Sequence, residues 1–254
     1  MSALALAALA LRARRRRVLA LLAFAAVFLA AALTARLLVS RGEGGHVQMD
    51  RLFEVGGYPL VSALLLLGWI LGRYPLVATL VMLAGVASHD RLEGYARLYA
   101  VRPTSPHRIY AARAALLSAA AFAISAALLP VFDLIMLGTW AGPATFVLIL
   151  AYIIVYGGMV ALLSVWTRGD AWIALLLALL SLVWDALRRA DALAIPPGVR
   201  DVITFVLPPQ AAFLELEGAF GALQPIPWDA FAYVAGYGAV LWLLAAASLG
   251  RREV

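Results

Sequence analysis

The sequence predicts an all-α polytopic membrane protein with six transmembrane helices, and three observations carry that expectation. Hydrophobic residues make up 65% of the 254 residues, and mean hydropathy is +0.95. Soluble domains run at roughly 45–50% apolar. The apolar residues gather into runs near the length of about 20 residues that crosses a bilayer. The charged residues cluster at the ends of those runs. A single domain over residues 1–254 accounts for the whole chain.

Residues 1–11 are apolar but too short to span. Arg12 and Arg14 to Arg17 follow, so residues 1–17 read as an interfacial amphipathic helix and 18–39 as the first span. A cleaved signal peptide is the competing reading. Its apolar core runs to about 7–15 residues, and this run is longer and lacks a clean cleavage motif. Arg41 to Gly57 is polar and glycine-rich, hence a loop. The second span, 58–88, is unusually long, and Pro75 within it predicts a kink. The third span covers 106–130, with Asp133 in the short loop that follows. The fourth covers 143–166, a tight turn Thr167-Arg168-Gly169-Asp170 leads to the fifth at 171–187, and the sixth covers 228–249.

Two connections stand apart from ordinary loops. Between the second and third spans, Asp90 to Arg113 is the one long polar segment. Leu92, Tyr95, Ala96 and Tyr99 recur at i, i+3, i+4 and i+7, which lines one face of a short helix. Glu93 and Arg97 sit four apart on the polar side, acid first. Pro103 ends this helix, Arg102 before it is pushed towards an extended conformation, and Ser105-Pro106 starts a new helix. The segment is either a docking element for a cytoplasmic partner or a basic loop that only sets topology. Between the fifth and sixth spans, 195–207 and 210–220 are apolar, too short to cross and broken by prolines. They are either half-helices dipping into the outer leaflet or interfacial helices lying flat.

Orientation follows from the arginines, which are all 20 of the basic residues. Six spans put both termini on one side. Thirteen arginines fall on that side, with Arg91, Arg97, Arg102, Arg108 and Arg113 among them, and five on the other, with Arg36 near its edge. The richer side is the cytoplasmic one. The same distribution explains the net charge of +6 without nucleic acid.

Several chemistries are excluded. Without lysine there is no P-loop phosphate ligand and no Schiff base, and without cysteine no disulfide or thiolate metal site. His46, His89 and His107 have no metal-ligand spacing, and no G-x-S-x-G elbow occurs. Tyr58, Trp140, Trp166, Trp172 and Trp228 fall near span ends, where an aromatic belt explains them. No catalytic set and no cofactor site emerges, so the chain reads as a non-enzyme.

One buried charge needs a partner. Arg73 lies near the centre of the second apolar run, where an unpaired arginine costs about 2.5–3.5 kcal/mol. Asp133, Asp170 and Asp185 are the acids inside or at the edge of spans. At a rise of about 1.5 Å per residue, Arg73 and Asp185 both lie roughly 22–24 Å from the cytoplasmic end. An Arg73–Asp185 pair, within or between subunits, is the expectation. The alternative is an Arg73 that snorkels to the outer headgroups.

The arrangement resembles the membrane subunits of type-2 ABC exporters. The residues that carry the resemblance are the basic N-terminal helix, Asp90-Arg91-Leu92-Glu93-Gly94 after the second span, Arg102-Pro103-Thr104-Ser105-Pro106-His107-Arg108, and the Pro196-Pro197 to Pro208 stretch before the last span. Pro106 departs from the family's order at its turn. The resemblance implies a six-span half of a homodimer or heterodimer, multi-pass in a bacterial-type plasma membrane and in contact with membrane lipid. It implies that Asp90 to Tyr99 is a coupling helix seated on a separate ABC ATPase subunit, with Arg102 and Arg108 beside it. Two other classes stay open. One is a related ABC membrane subunit in mechanotransmission or in haem or lipid handling. The other is a scaffold or secondary transporter without an ATPase.

Overall fold

The structure, a computed structural model, describes residues 12–39, 73–89, 106–136, 138–140, 142–190, 195–221 and 223–252. Among these residues the regular structure is all helical. In chain order the helices are α1 (Arg15–Val39), α2 (Tyr74–Leu83), α3 (Pro106–Met136), α4 (Ala144–Trp166), α5 (Asp170–Arg189), α6 (Pro197–Val206), α7 (Gln210–Gly221) and α8 (Trp228–Arg252). Five of them, α1, α3, α4, α5 and α8, are long and apolar enough to cross a membrane, so the chain is compatible with a multi-pass membrane protein.

The bundle is built around α4. Two-thirds of its most apolar window is buried, against 22% for α8 and 28% for α3 and α5. Its most extensive packing is against α8, and α2, α3 and α5 line its other sides. Small residues set the α4–α8 distance. A Cβ on Gly238 would lie 2.8 Å from both the carbonyl carbon and oxygen of Ile154, so no side chain fits there. Gly157 and Gly158 receive the Trp242 ring, whose Nε1 donates to the Ile154 carbonyl at 2.9 Å. Close backbone approach through small residues is the usual way helices associate where lipid removes the hydrophobic drive. At one end, α1 docks through Tyr74, whose hydroxyl donates to the Leu21 carbonyl at 3.2 Å and whose ring stacks on Phe24.

Three expected boundaries are corrected. Within the expected 58–88 span, the described residues begin at Arg73 and form the ten-residue helix α2 followed by a turn. Pro75 sits in the first turn of α2, where its missing N–H costs nothing, and residues 58–72, on the other side of the expected kink, lie outside the described residues. The helix stops at Leu83, five residues before Ser88, because Ala84 leaves the helical region and Gly85 takes φ +71°. The third span runs on to Met136 with Pro130 inside it. Asp133 is therefore a buried helical residue and not a loop residue, and the Thr145 hydroxyl on α4 donates to its Oδ2 at 3.3 Å. That cross-helix bond helps hold the last turn in place after the proline. The arginines 15–17 belong to the spanning helix α1, and residues 1–11 of the expected interfacial helix lie outside the described residues.

Two short helices do form between α5 and α8. α6 has no buried residue, and Val199, Val202, Phe205 and Val206 are all at least half exposed. α7 buries Phe213 and Leu216 against the bundle. Pinning bonds hold α6 in place: Trp184 Nε1 of α5 donates to the Thr204 hydroxyl at 3.0 Å, and the Tyr237 hydroxyl of α8 donates to the Val206 carbonyl at 2.8 Å.

Candidate functional site

Two polar constructions sit inside this apolar bundle, one at each end of α2. The first is an ion pair. Arg73 immediately precedes α2 and is 4% exposed. Its Nε donates to Oε1 of Glu217 at 2.9 Å and its Nη2 donates to Oε2 at 2.8 Å. This is the two-pronged geometry that fits a guanidinium to a carboxylate. The Tyr152 hydroxyl of α4 donates to the same Oε1. Tyr152 stacks on Phe213 at 4.7 Å between ring centroids and on Tyr156 at 5.9 Å, so the pair is walled by three buried rings. Low-dielectric walls strengthen the attraction between the charges and raise the cost of losing either one. The cluster ties together α2, α4 and α7.

The expected Arg73–Asp185 pair is not the one formed. Asp185 is engaged on its own helix, where Arg188 donates to Oδ1 at 3.3 Å and Arg189 to Oδ2 at 2.8 Å. Nor does Arg73 snorkel, since its side chain is buried. Glu217 and Tyr152 are the residues sequence reasoning missed. The signal was present: Phe213, Leu216, Glu217 and Phe220 fall at i, i+3, i+4 and i+7, which puts this acid on the apolar face of α7. Glu215, two positions away, points outward and is exposed.

The second construction caps the other end of α2. The last carbonyls of a helix have no partner within it. Here Arg14 donates from Nη1 to the Met82 carbonyl at 2.7 Å and from Nη2 to the Ala84 carbonyl at 3.0 Å. Arg17 donates to the carbonyls of Val81 and Ala84 at 3.2 and 2.7 Å. Cations are favoured at a helix C-terminus by its dipole as well as by these bonds. Arg113 of α3 donates to the Val86 carbonyl at 3.1 Å, and Asp170 of α5 accepts the Gly85 N–H at 2.8 Å. Side chains from the start of α1, from α3 and from α5 thus converge on the backbone of residues 81–86.

Only three residues separate this frame from Asp90. The expected coupling residues Asp90, Arg91, Leu92, Glu93, Tyr95, Arg97, Tyr99 and Arg102 lie outside the described residues. Arg108 is described, exposed in the first turn of α3 beside His107. Among the described residues no group of three or more His, Asp or Glu side chains is placed to hold a metal ion. Comparison of the chain with protein-family models, with curated proteins and with solved structures gives no match.

Proposed function

We propose that this chain is the membrane subunit of an ATP-driven exporter of the type-2 ABC kind, one half of a dimer whose ATP is hydrolysed by a separate subunit. The observation that carries the reading is the frame around residues 81–86. A loop that only joins two spans needs no anchorage beyond its ends. Here four side chains from three elements grip the backbone just before the polar Asp90–Arg108 segment. A push on that segment passes through the grip to α1, α3 and α5 together, which is what a two-state tilt of the spans requires. Tyr95 and Tyr99 on the segment's apolar stripe are the anchors for the ATPase, since a few aromatic residues dominate interface energy. Both termini are then cytoplasmic, and α6 and α7 dip into the outer leaflet.

The test is purification of the tagged chain from its native membranes in mild detergent. ATP-hydrolysing activity should accompany the wild type and fall about tenfold or more in Tyr95→Ala/Tyr99→Ala, with membrane insertion retained. Equal activity in both preparations would overturn the reading. The buried Arg73–Glu217 pair favours a second one, an ion-coupled transporter, because intramembrane charges mark ion and substrate paths. Transport by the purified chain alone, driven by an ion gradient without ATP and lost in Glu217→Gln, would select it.

A further inference from the structure

The arginines that lead into α1 divide into two sets. Arg14 and Arg17 turn inward and hold the carbonyls at the end of α2. Arg12, Arg15 and Arg16 are exposed, and none of the three pairs with an acid among the described residues. Two of this outer set, Arg12 and Arg15, line a groove of about 640 Å³ between α1 and α3. The rest of its lining is apolar: Val18 on α1, and Ala120, Ala123 and Ile124 on α3. The groove therefore carries two positive charges, and no acid lines it among the described residues. A guanidinium presents its N–H donors in a fixed fork that matches the oxygens of a phosphate.

The place of the groove along the helices narrows the choice of anion. α1 is long and apolar enough to cross a membrane, and the charged residues that open such a helix lie at headgroup level. On α3, Arg113 is the last charged residue before Asp133. Ala120 lies seven residues beyond Arg113, about 10 Å into the apolar stretch. The apolar floor also continues away from the arginines. Leu22 follows Val18 one turn later on α1, Ala127 follows Ala123 one turn later on α3, and both are exposed. Positive charge thus stands at one end of an apolar track that runs along two helices. A soluble anion would use the charges and leave the track empty. An anionic head on an apolar body uses both.

We propose that the groove between α1 and α3 binds an acidic phospholipid, with Arg12 and Arg15 on its phosphate and an acyl chain along Val18, Ala120, Ala123 and Ile124. The site does not depend on an ATPase partner. A zwitterionic headgroup fits less well, because its own cation sits beside two arginines. The full-length chain is purified in mild detergent and titrated with phosphatidylglycerol, with phosphatidylcholine and with inorganic phosphate, and bound molecules are counted by native mass spectrometry. Neither Arg12 nor Arg15 bonds to another side chain among the described residues, so their glutamine variants should keep the wild-type unfolding midpoint.

Arg12→Gln and Arg15→Gln should each weaken phosphatidylglycerol binding about fivefold, the scale of one basic side chain at an acidic membrane surface. Arg16→Gln removes the same charge from the same stretch but does not line the groove, and should change binding less than about twofold on that scale. Ala123→Phe fills the exposed floor and leaves every charge in place. It should weaken binding about fourfold, the scale of one CH₂ group taken out of contact. Phosphatidylcholine should bind the wild type more weakly than phosphatidylglycerol, and millimolar inorganic phosphate should not displace the lipid. A loss in Arg16→Gln as large as in the other two would mean general charge attraction and overturn the site, as would unchanged binding in either the Arg12 or the Arg15 variant. Unchanged binding in Ala123→Phe, displacement by inorganic phosphate, or equal binding of the two lipids would overturn the acidic lipid as the occupant.

Discussion

Glu217 holds a carboxylate inside the helical bundle, and its worth is measurable. Removing one member of a buried pair leaves the other charge uncompensated, at about 3–5 kcal/mol. Arg73→Met and Glu217→Leu should therefore each destabilise the protein by about that much in thermal unfolding monitored in detergent. The double variant should recover most of the loss, because two apolar side chains can replace a buried pair at little cost. Losses that simply add would show that the two side chains act apart. Tyr152→Phe removes one donor to Glu217 and keeps the ring stack, so it should cost about 1.5–3 kcal/mol. Sequence reasoning reached Arg73 from hydropathy alone, since a charge at the centre of an apolar run stands out. It did not reach Glu217, because the search for a partner stayed within the spans. An acid in a twelve-residue helix between spans is ordinary until its face is known.

At the scale of elements, α2 shows where helix signals are ambiguous. Pro75 can kink a helix or start one, and hydropathy does not distinguish the two. Among the described residues Pro75 lies in the first turn of α2, just after Arg73, whose side chain bonds to Glu217 of α7. The end of α2 depends on Gly85 at φ +71°, where a Cβ meets no close neighbour but the backbone is strained. Gly85→Ala should cost roughly 1–2 kcal/mol in unfolding and, on the coupling reading, reduce transport. A fully stable Gly85→Ala variant would argue that the frame tolerates a different turn. The two short helices were legible as apolar stretches broken by prolines, because composition and length sufficed. Their faces in the fold were less legible: α6 leaves Val202 and Phe205 exposed on the protein surface. If that surface meets lipid, cysteines at both positions should react slowly with membrane-impermeant thiol reagents in intact cells. The chain has no other cysteine to confuse the result. Rapid labelling at both would place α6 in water.

For the whole molecule, five of the six expected spans were legible, because length and hydropathy decide them and five helices have the required length and apolarity, whereas residues 58–72 of the remaining one lie outside the described residues. Which helix lies at the centre was not legible. α4 is the most hydropathic span, but its place follows from Gly157, Gly158 and Gly238, whose role exists only once α4 and α8 are side by side. Gly238→Val should therefore be among the most damaging single changes, costing several kcal/mol, because the obstacle is Ile154 backbone and cannot move aside. A shift in the unfolding midpoint of less than a few degrees would mean that α8 packs less tightly than the geometry states.

The α4–α8 contact also bears on how the protein is made. α8 begins about 60 residues after α4 ends. At a synthesis rate of roughly 5–20 residues per second, α4 waits about 3–12 s for the helix that fills its glycine groove. During that interval the groove and the Ile154 carbonyl face whatever lies beside them in the membrane. A nascent chain stalled before Trp228 would carry a central helix without its main neighbour. Such a chain is a natural target for membrane quality-control proteases, whereas the finished protein presents them with a closed seam.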